Sequence, residues 1–155
     1  MSQSADKKNI MKVVFFVYMV FLFLVVAVKF TGTNFSTVVE RWNIISSAKE
    51  AGERNLNLKP LTTIQPYLRH FDKSYASTNI LANLLLFVPV GFLLPIAYPN
   101  RKKFLKTMWV CLLITIVIEL FQYITCLGFC DIDDIILNMI GSLAGFIVYK
   151  CTCKS

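Results

Sequence analysis

The sequence predicts an all-α integral membrane protein: a bundle of four transmembrane helices with a long extracytoplasmic loop carrying amphipathic helices. Three observations carry this reading. Of the 155 residues, 56% are hydrophobic and only 16% charged, against roughly 25% charge in soluble domains, and the mean hydropathy is +0.62. Four apolar runs recur along the chain, each near the length of about 20 residues that crosses a hydrocarbon core. Basic residues gather in short stretches beside those runs, as on the cytoplasmic flanks of membrane helices. A soluble globular domain is thereby excluded. The net charge of +7 and pI near 9.3 follow from those flanks, and no nucleic-acid partner is predicted. Residues 1–155 read as one membrane domain, with spans at about 12–30, 80–98, 107–127 and 134–150 and the loop at 31–79.

The first run, 13–28, is uncharged and framed by Lys12 and Lys29, whose long stems can snorkel to the interfaces. Lys7, Lys8 and Lys12 give it a signal-peptide-like start, but no small-residue cleavage site follows, so an uncleaved anchor is expected. In the loop, Val38, Val39, Trp42 and Ile45, then Leu61, Ile64, Leu68, Phe71 and Tyr75, recur at helical spacing. They predict two amphipathic helices that lie in the interface plane or cap the bundle. Between them, residues 53–61 read as an extended or turning linker, because Pro60 disfavours helix at Lys59.

The second run holds Pro89, Gly91 and Pro95 and predicts a kinked helix, tolerated where neighbours satisfy the freed backbone groups. The third carries a single charge, Glu119. The fourth is opened by Asp131, Asp133 and Asp134. Arg101, Lys102, Lys103 and Lys106, with no acid among them, place the connection between the second and third runs in the cytoplasm. Parity then puts both termini there and the aspartates outside. The long loop, with Lys29, Arg41, Lys49, Arg54, Lys59, Arg69 and Lys73, runs against that assignment, although long loops translocate largely regardless of charge.

Polar residues fall on defined helical faces. Thr115, Glu119, Gln122 and Cys126 are spaced four, three and four apart; Asp134, Asn138, Gly141 and Gly145 share a face; Asn79 and Asn83 are four apart. A carboxylate in hydrocarbon costs roughly 3 kcal/mol, so Glu119 must face the bundle interior or a water-filled cavity. It lies about 12 Å from the outer end of its helix. The three stripes converge on the outer leaflet, where interhelical hydrogen bonding and ligand binding both account for Asn83, Gln122 and Asn138. Glu119 needs a partner, a loop cation such as Arg54 or a proton. The aspartates also suit helix capping, and the two glycines allow close approach of a helix from the same or a second copy, hence a homodimer.

The five cysteines form no Cys-x-x-Cys pair and the single histidine is His70, so neither a metal site nor a cofactor is predicted. A bridge between Cys126 and Cys130 is left open. Nothing resembles a nucleophile elbow or a phosphate loop. If the protein were an enzyme acting on a lipid or lipid-linked envelope precursor, Glu119 would be the general acid or base, with Asp131 or Asp134 assisting and the aspartates able to hold one Mg²⁺. The favoured expectation is non-enzymatic: a pocket of Asn83, Glu119, Gln122, Asp134 and Asn138, with Arg54 nearby, binding an amphiphile among membrane lipids.

Four ordered motifs, Arg54-Asn-Leu-Asn-Leu-Lys-Pro60, Asn83-Leu-Leu-Leu-Phe-Val-Pro89-Val-Gly91, Glu119-Leu-Phe-Gln122 and Asp131-Ile-Asp-Asp134-Ile-Ile-Leu-Asn138-Met-Ile-Gly141, resemble the VanZ-like family of small bacterial membrane proteins. Many relatives carry an Arg just before the aspartates, where this chain has Gly128-Phe129-Cys130. The resemblance implies a four-helix protein of the bacterial cell membrane associated with low-level resistance to teicoplanin and related lipid-bearing glycopeptides. Its expected partners are a glycopeptide or a lipid-linked cell-wall precursor.

Overall fold

The computed structural model describes residues 2–29, 35–69 and 74–153. Along the chain run α1 (Ser2–Lys29), α2 (Phe35–Glu50), β1 (Leu56–Asn57), α3 (Ile64–Arg69), α4 (Ser74–Ala97), a 3₁₀ turn (Pro99–Arg101), α5 (Phe104–Thr125), β2 (Cys130–Asp131) and α6 (Ile132–Thr152). Four helices are long and apolar enough to cross a membrane, at Asp6–Val26, Ile80–Ala97, Phe104–Thr125 and Ile132–Thr152. These are the four runs read from hydropathy.

The interior is small. Phe15, Leu22 and Val26 of α1 meet Phe87, Val90, Leu94 and Ala97 of α4 and Cys111 and Ile118 of α5. Elsewhere α1 presents Val13, Phe16, Val17, Val20 and Leu24 outward. An apolar outer surface is stable only where lipid replaces water, which is why a helix apolar all round reads as a span. α4 stays helical through Pro89 and Pro95. Just before Pro89, whose ring removes a helix hydrogen bond, the Tyr18 hydroxyl donates to the Leu86 carbonyl at 2.6 Å.

The most extensive contact joins α4 to α6, and glycine makes it. A Cβ on Gly141 would lie 2.1 Å from the Leu84 carbonyl oxygen, one on Gly145 1.9 Å from that of Val88, and one on Gly91 1.9 Å from that of Ser142. Backbone meets backbone with no room for a methyl group. The Gly141/Gly145 face, a candidate dimer surface in the sequence, is therefore occupied by α4 of the same chain.

The spanning helices alternate in direction. Phe15 of α1 stacks edge-on against Tyr98 after α4, and Phe104 at the start of α5 stacks against Phe146 near the end of α6. That end carries Lys8, Lys12 and Lys106. At the other, Phe23 meets Phe121 and the aspartates gather with the loop. The loop differs from expectation in its second amphipathic element. The repeat from Leu61 to Tyr75 does not form one helix: Leu61 sits at φ 66°, α3 covers Ile64–Arg69, Phe71 lies outside the described residues, and Tyr75 already belongs to α4. Residues 53–61 are extended and turning as read, and their two-residue strand pairs in parallel with β2, Leu56 opposite Cys130 and Asn57 opposite Asp131.

Candidate functional site

α5 ends at Cys126 in a left-handed conformation, φ 56°, which turns the chain at once into β2 and α6. The turn brings the polar stripe of α5 beside the aspartates. Asp131 is the N-cap of α6: its Oδ1 accepts from the Asp133 N–H at 2.9 Å, the role that short acids take before a helix. Its own N–H donates to Glu119 Oε2 at 2.9 Å. The side chain of Glu119, 2% exposed, thus holds the strand that leads into α6. Asp131 Oδ2 accepts from the Thr63 hydroxyl at 2.5 Å and from Asn57 Nδ2 at 3.2 Å.

Asp133, wholly buried, reaches across to the loop. Its Oδ1 accepts from the Leu61 N–H at 2.6 Å, and its Oδ2 accepts from the N–H groups of Thr63 and Ile64 at 2.8 and 3.0 Å. One carboxylate thereby holds the left-handed turn at Leu61 and the start of α3. Asp134 turns to α4, where its Oδ1 accepts from Asn83 Nδ2. Asp131 and Asp133 thus both hold Thr63 of the loop while Asp134 serves α4, and among the described residues the three carboxylates do not group as a Mg²⁺ ion would require.

On the loop side, Asn55 is buried and its Nδ2 donates to the carbonyls of Gly128 at 2.8 Å and Tyr123 at 3.3 Å, while its own carbonyl accepts from the Cys130 N–H at 3.0 Å. Lys49, near the end of α2, lies 4.9 Å over the Tyr123 ring with Nζ 4.0 Å from Cys126 Sγ. Cys126 and Cys130 are both buried, unbridged thiols. Burial pushes the Cys130 thiol above its ordinary range, and the carboxylates of Glu119 and Asp131 push it the same way. A thiol held neutral is a poor nucleophile.

Asn83, Glu119, Gln122, Asp131, Asp134 and Asn138 are all buried, and of the ligand-site residues expected from the sequence Arg54 alone is not. Arg54 is exposed. Asn55, its neighbour, takes the buried place, and a period-two alternation of Asn55 and Asn57 about Leu56 is the signal that marks it. Five buried side-chain atoms have no hydrogen-bond partner among the described residues: Asn55 Oδ1, Gln122 Oε1 and Asn138 Oδ1, with the hydroxyls of Thr115 and Ser142 deeper along the same faces.

Four apolar helices with a buried Asn, Asp and Glu cluster locking one end define a polytopic membrane protein whose long loop is docked by carboxylates. The chain belongs to the VanZ/LLP1 family, whose model matches residues 13–153. It is similar to Protein VanZ of Enterococcus faecium, 28% identical over 102 residues, which make up 66% of this chain and 56% of that protein. The chain thus spans about half the length of the curated relative it matches. No solved structure matches it.

Proposed function

We propose that this chain is a non-enzymatic protein of the bacterial cell membrane, with both termini cytoplasmic, that lowers sensitivity to teicoplanin and related lipid-bearing glycopeptides. In this reading the cluster of Asn83, Glu119, Gln122, Asp134 and Asn138 faces outward and takes the polar head of an amphiphile, a glycopeptide or a lipid-linked cell-wall precursor. Arg54 contributes from the rim. The observation that carries the reading is the set of unpartnered amide oxygens on Asn55, Gln122 and Asn138. A buried acceptor left unsatisfied costs about 1–3 kcal/mol, a cost that a donor-rich head group offsets. The acids support binding over catalysis, since Glu119 and Asp131 direct oxygens at backbone N–H groups.

Expression of the full chain in a susceptible host, with inhibition measured for a lipid-bearing glycopeptide and its tail-less analogue, tests the reading. Protection against the first and not the second is expected, with direct binding of the first to purified protein. Equal absence of binding for both, with no lipid co-purifying, removes the ligand site. A Glu119-dependent change in envelope lipid or precursor composition replaces it with an enzyme.

A further inference from the structure

At the end of the bundle opposite the carboxylates, a cavity of about 620 Å³ is lined by Lys8 and Lys12 of α1, Lys106 of α5, and Tyr98, Pro99 and Asn100 of the turn after α4. No acid is among its lining residues. Lys8 and Lys12 are one helical turn apart and so share a face. α5 starts beside the cavity with no acid in its first turn and no side-chain cap on its N-terminus. A cation there stands against the helix dipole. Like charges converging on one opening repel each other, and an anion is what relieves that repulsion.

The cavity sits where three spans begin or end, Asp6–Val26, Ile80–Ala97 and Phe104–Thr125, which is the level of lipid headgroups. Directly along the helices from the lysines, the surface is apolar and outward-facing. Phe16 follows Lys12 by one turn, and Trp109 and Leu113 follow Lys106 by one and two turns, all three exposed. Tyr98 and Trp109 are residues that favour the interface. A soluble anion would use the lysines alone, whereas a lipid uses both the lysines and the apolar tracks beneath them.

We infer that this cavity is a binding site for the phosphate headgroup of an acidic phospholipid, held by Lys8, Lys12 and Lys106 with Tyr98 and Asn100 as hydrogen-bonding neighbours. Basic pockets between membrane helices take such headgroups by charge. The site is independent of the carboxylate cluster at the far end, so its failure would leave the proposed function untouched.

Native mass spectrometry of the full chain, purified and equilibrated with equal amounts of phosphatidylglycerol and phosphatidylcholine, reads which lipid is retained. Phosphatidylglycerol is expected to be kept in preference. The triple variant Lys8→Gln, Lys12→Gln, Lys106→Gln should weaken its retention by about a hundredfold, the product of three charges at headgroup level. The triple variant Lys7→Gln, Lys102→Gln, Lys103→Gln removes the same charge from residues that do not line the cavity and should keep it. Replacing Lys8, Lys12 and Lys106 by Arg should also keep it, and if the triple Gln variant does not fold, Lys106→Gln alone must show a partial loss. Absence of a phosphatidylglycerol preference, equal loss in both Gln triples, or displacement of the lipid by soluble glycerol 1-phosphate would overturn the assignment.

Discussion

Asp133 is the residue on which docking of the loop depends, and its removal gives a measurable magnitude. Three backbone N–H groups, of Leu61, Thr63 and Ile64, donate to its carboxylate at 2.6 to 3.0 Å. A hydrogen bond to a charged group contributes about 1.5–3 kcal/mol. Leu61 is exposed and Thr63 and Ile64 half-buried, so water replaces part of each bond. About 3 kcal/mol for the three together is the discounted figure. Asp133→Ala should therefore loosen the turn at Leu61 and the start of α3, while the pairing of Leu56 and Asn57 with β2 and the four spans persist. Hydrogen exchange of the purified protein in a bilayer disc reads this directly: the amides of Leu61, Thr63 and Ile64 should exchange about a hundredfold faster. Asp133→Asn keeps one acceptor oxygen but turns an NH₂ toward the donors, and should give an intermediate, roughly tenfold acceleration. Unchanged exchange at all three amides in the Ala variant would refute the view that this carboxylate docks the loop.

Glu119→Gln retains an acceptor for the Asp131 N–H, so abundance should survive, and with it the resistance proposed above, whereas Glu119→Leu strands that donor and should lose stability by about 1–3 kcal/mol; loss of that proposed resistance in the Gln variant at normal membrane abundance would show that the charge itself is required. Gly145→Ala drives a methyl group into the Val88 carbonyl and should destabilise the protein by about 3 kcal/mol or more. Gly52→Ala meets open space but a φ of +91° and should cost only about 1 kcal/mol; thermal unfolding in detergent ranks the two. Because burial and then the carboxylates of Glu119 and Asp131 raise the Cys130 thiol, it loses its proton at higher pH than an ordinary thiol. Alkylation at pH 8 should accordingly modify exposed Cys151 and Cys153 and spare Cys130, as peptide mass spectrometry will show.

Features that depend on a local window could be read directly from the amino-acid order. The four spans follow from the length and hydropathy of continuous runs, because every backbone group of a membrane helix is satisfied within its own segment. The stripes of α5 and α6 follow from the 3.6-residue period, which fixes that Glu119 and Gln122, or Asp134 and Asn138, share a face wherever the helix packs. Capping by one of the aspartates was legible for the same reason, and the structure assigns it to Asp131, which binds an N–H two residues away. Partners, by contrast, emerge once distant segments are packed together. Asp133 meets the Leu61 N–H across 72 residues, and no local signal distinguishes it from Asp131 or Asp134. Charge pairing suggested Arg54 for Glu119, yet the parallel register of Leu56 with Cys130 turns Asn55 inward and leaves the arginine exposed, because adjacent strand residues point to opposite sides. Periodicity carried an expected helix through Leu61, where the turn held by Asp133 imposes a left-handed backbone instead. The glycines announced a close helix contact, but a glycine face fits any backbone that can reach it, and only the folded chain shows that α4 takes that place.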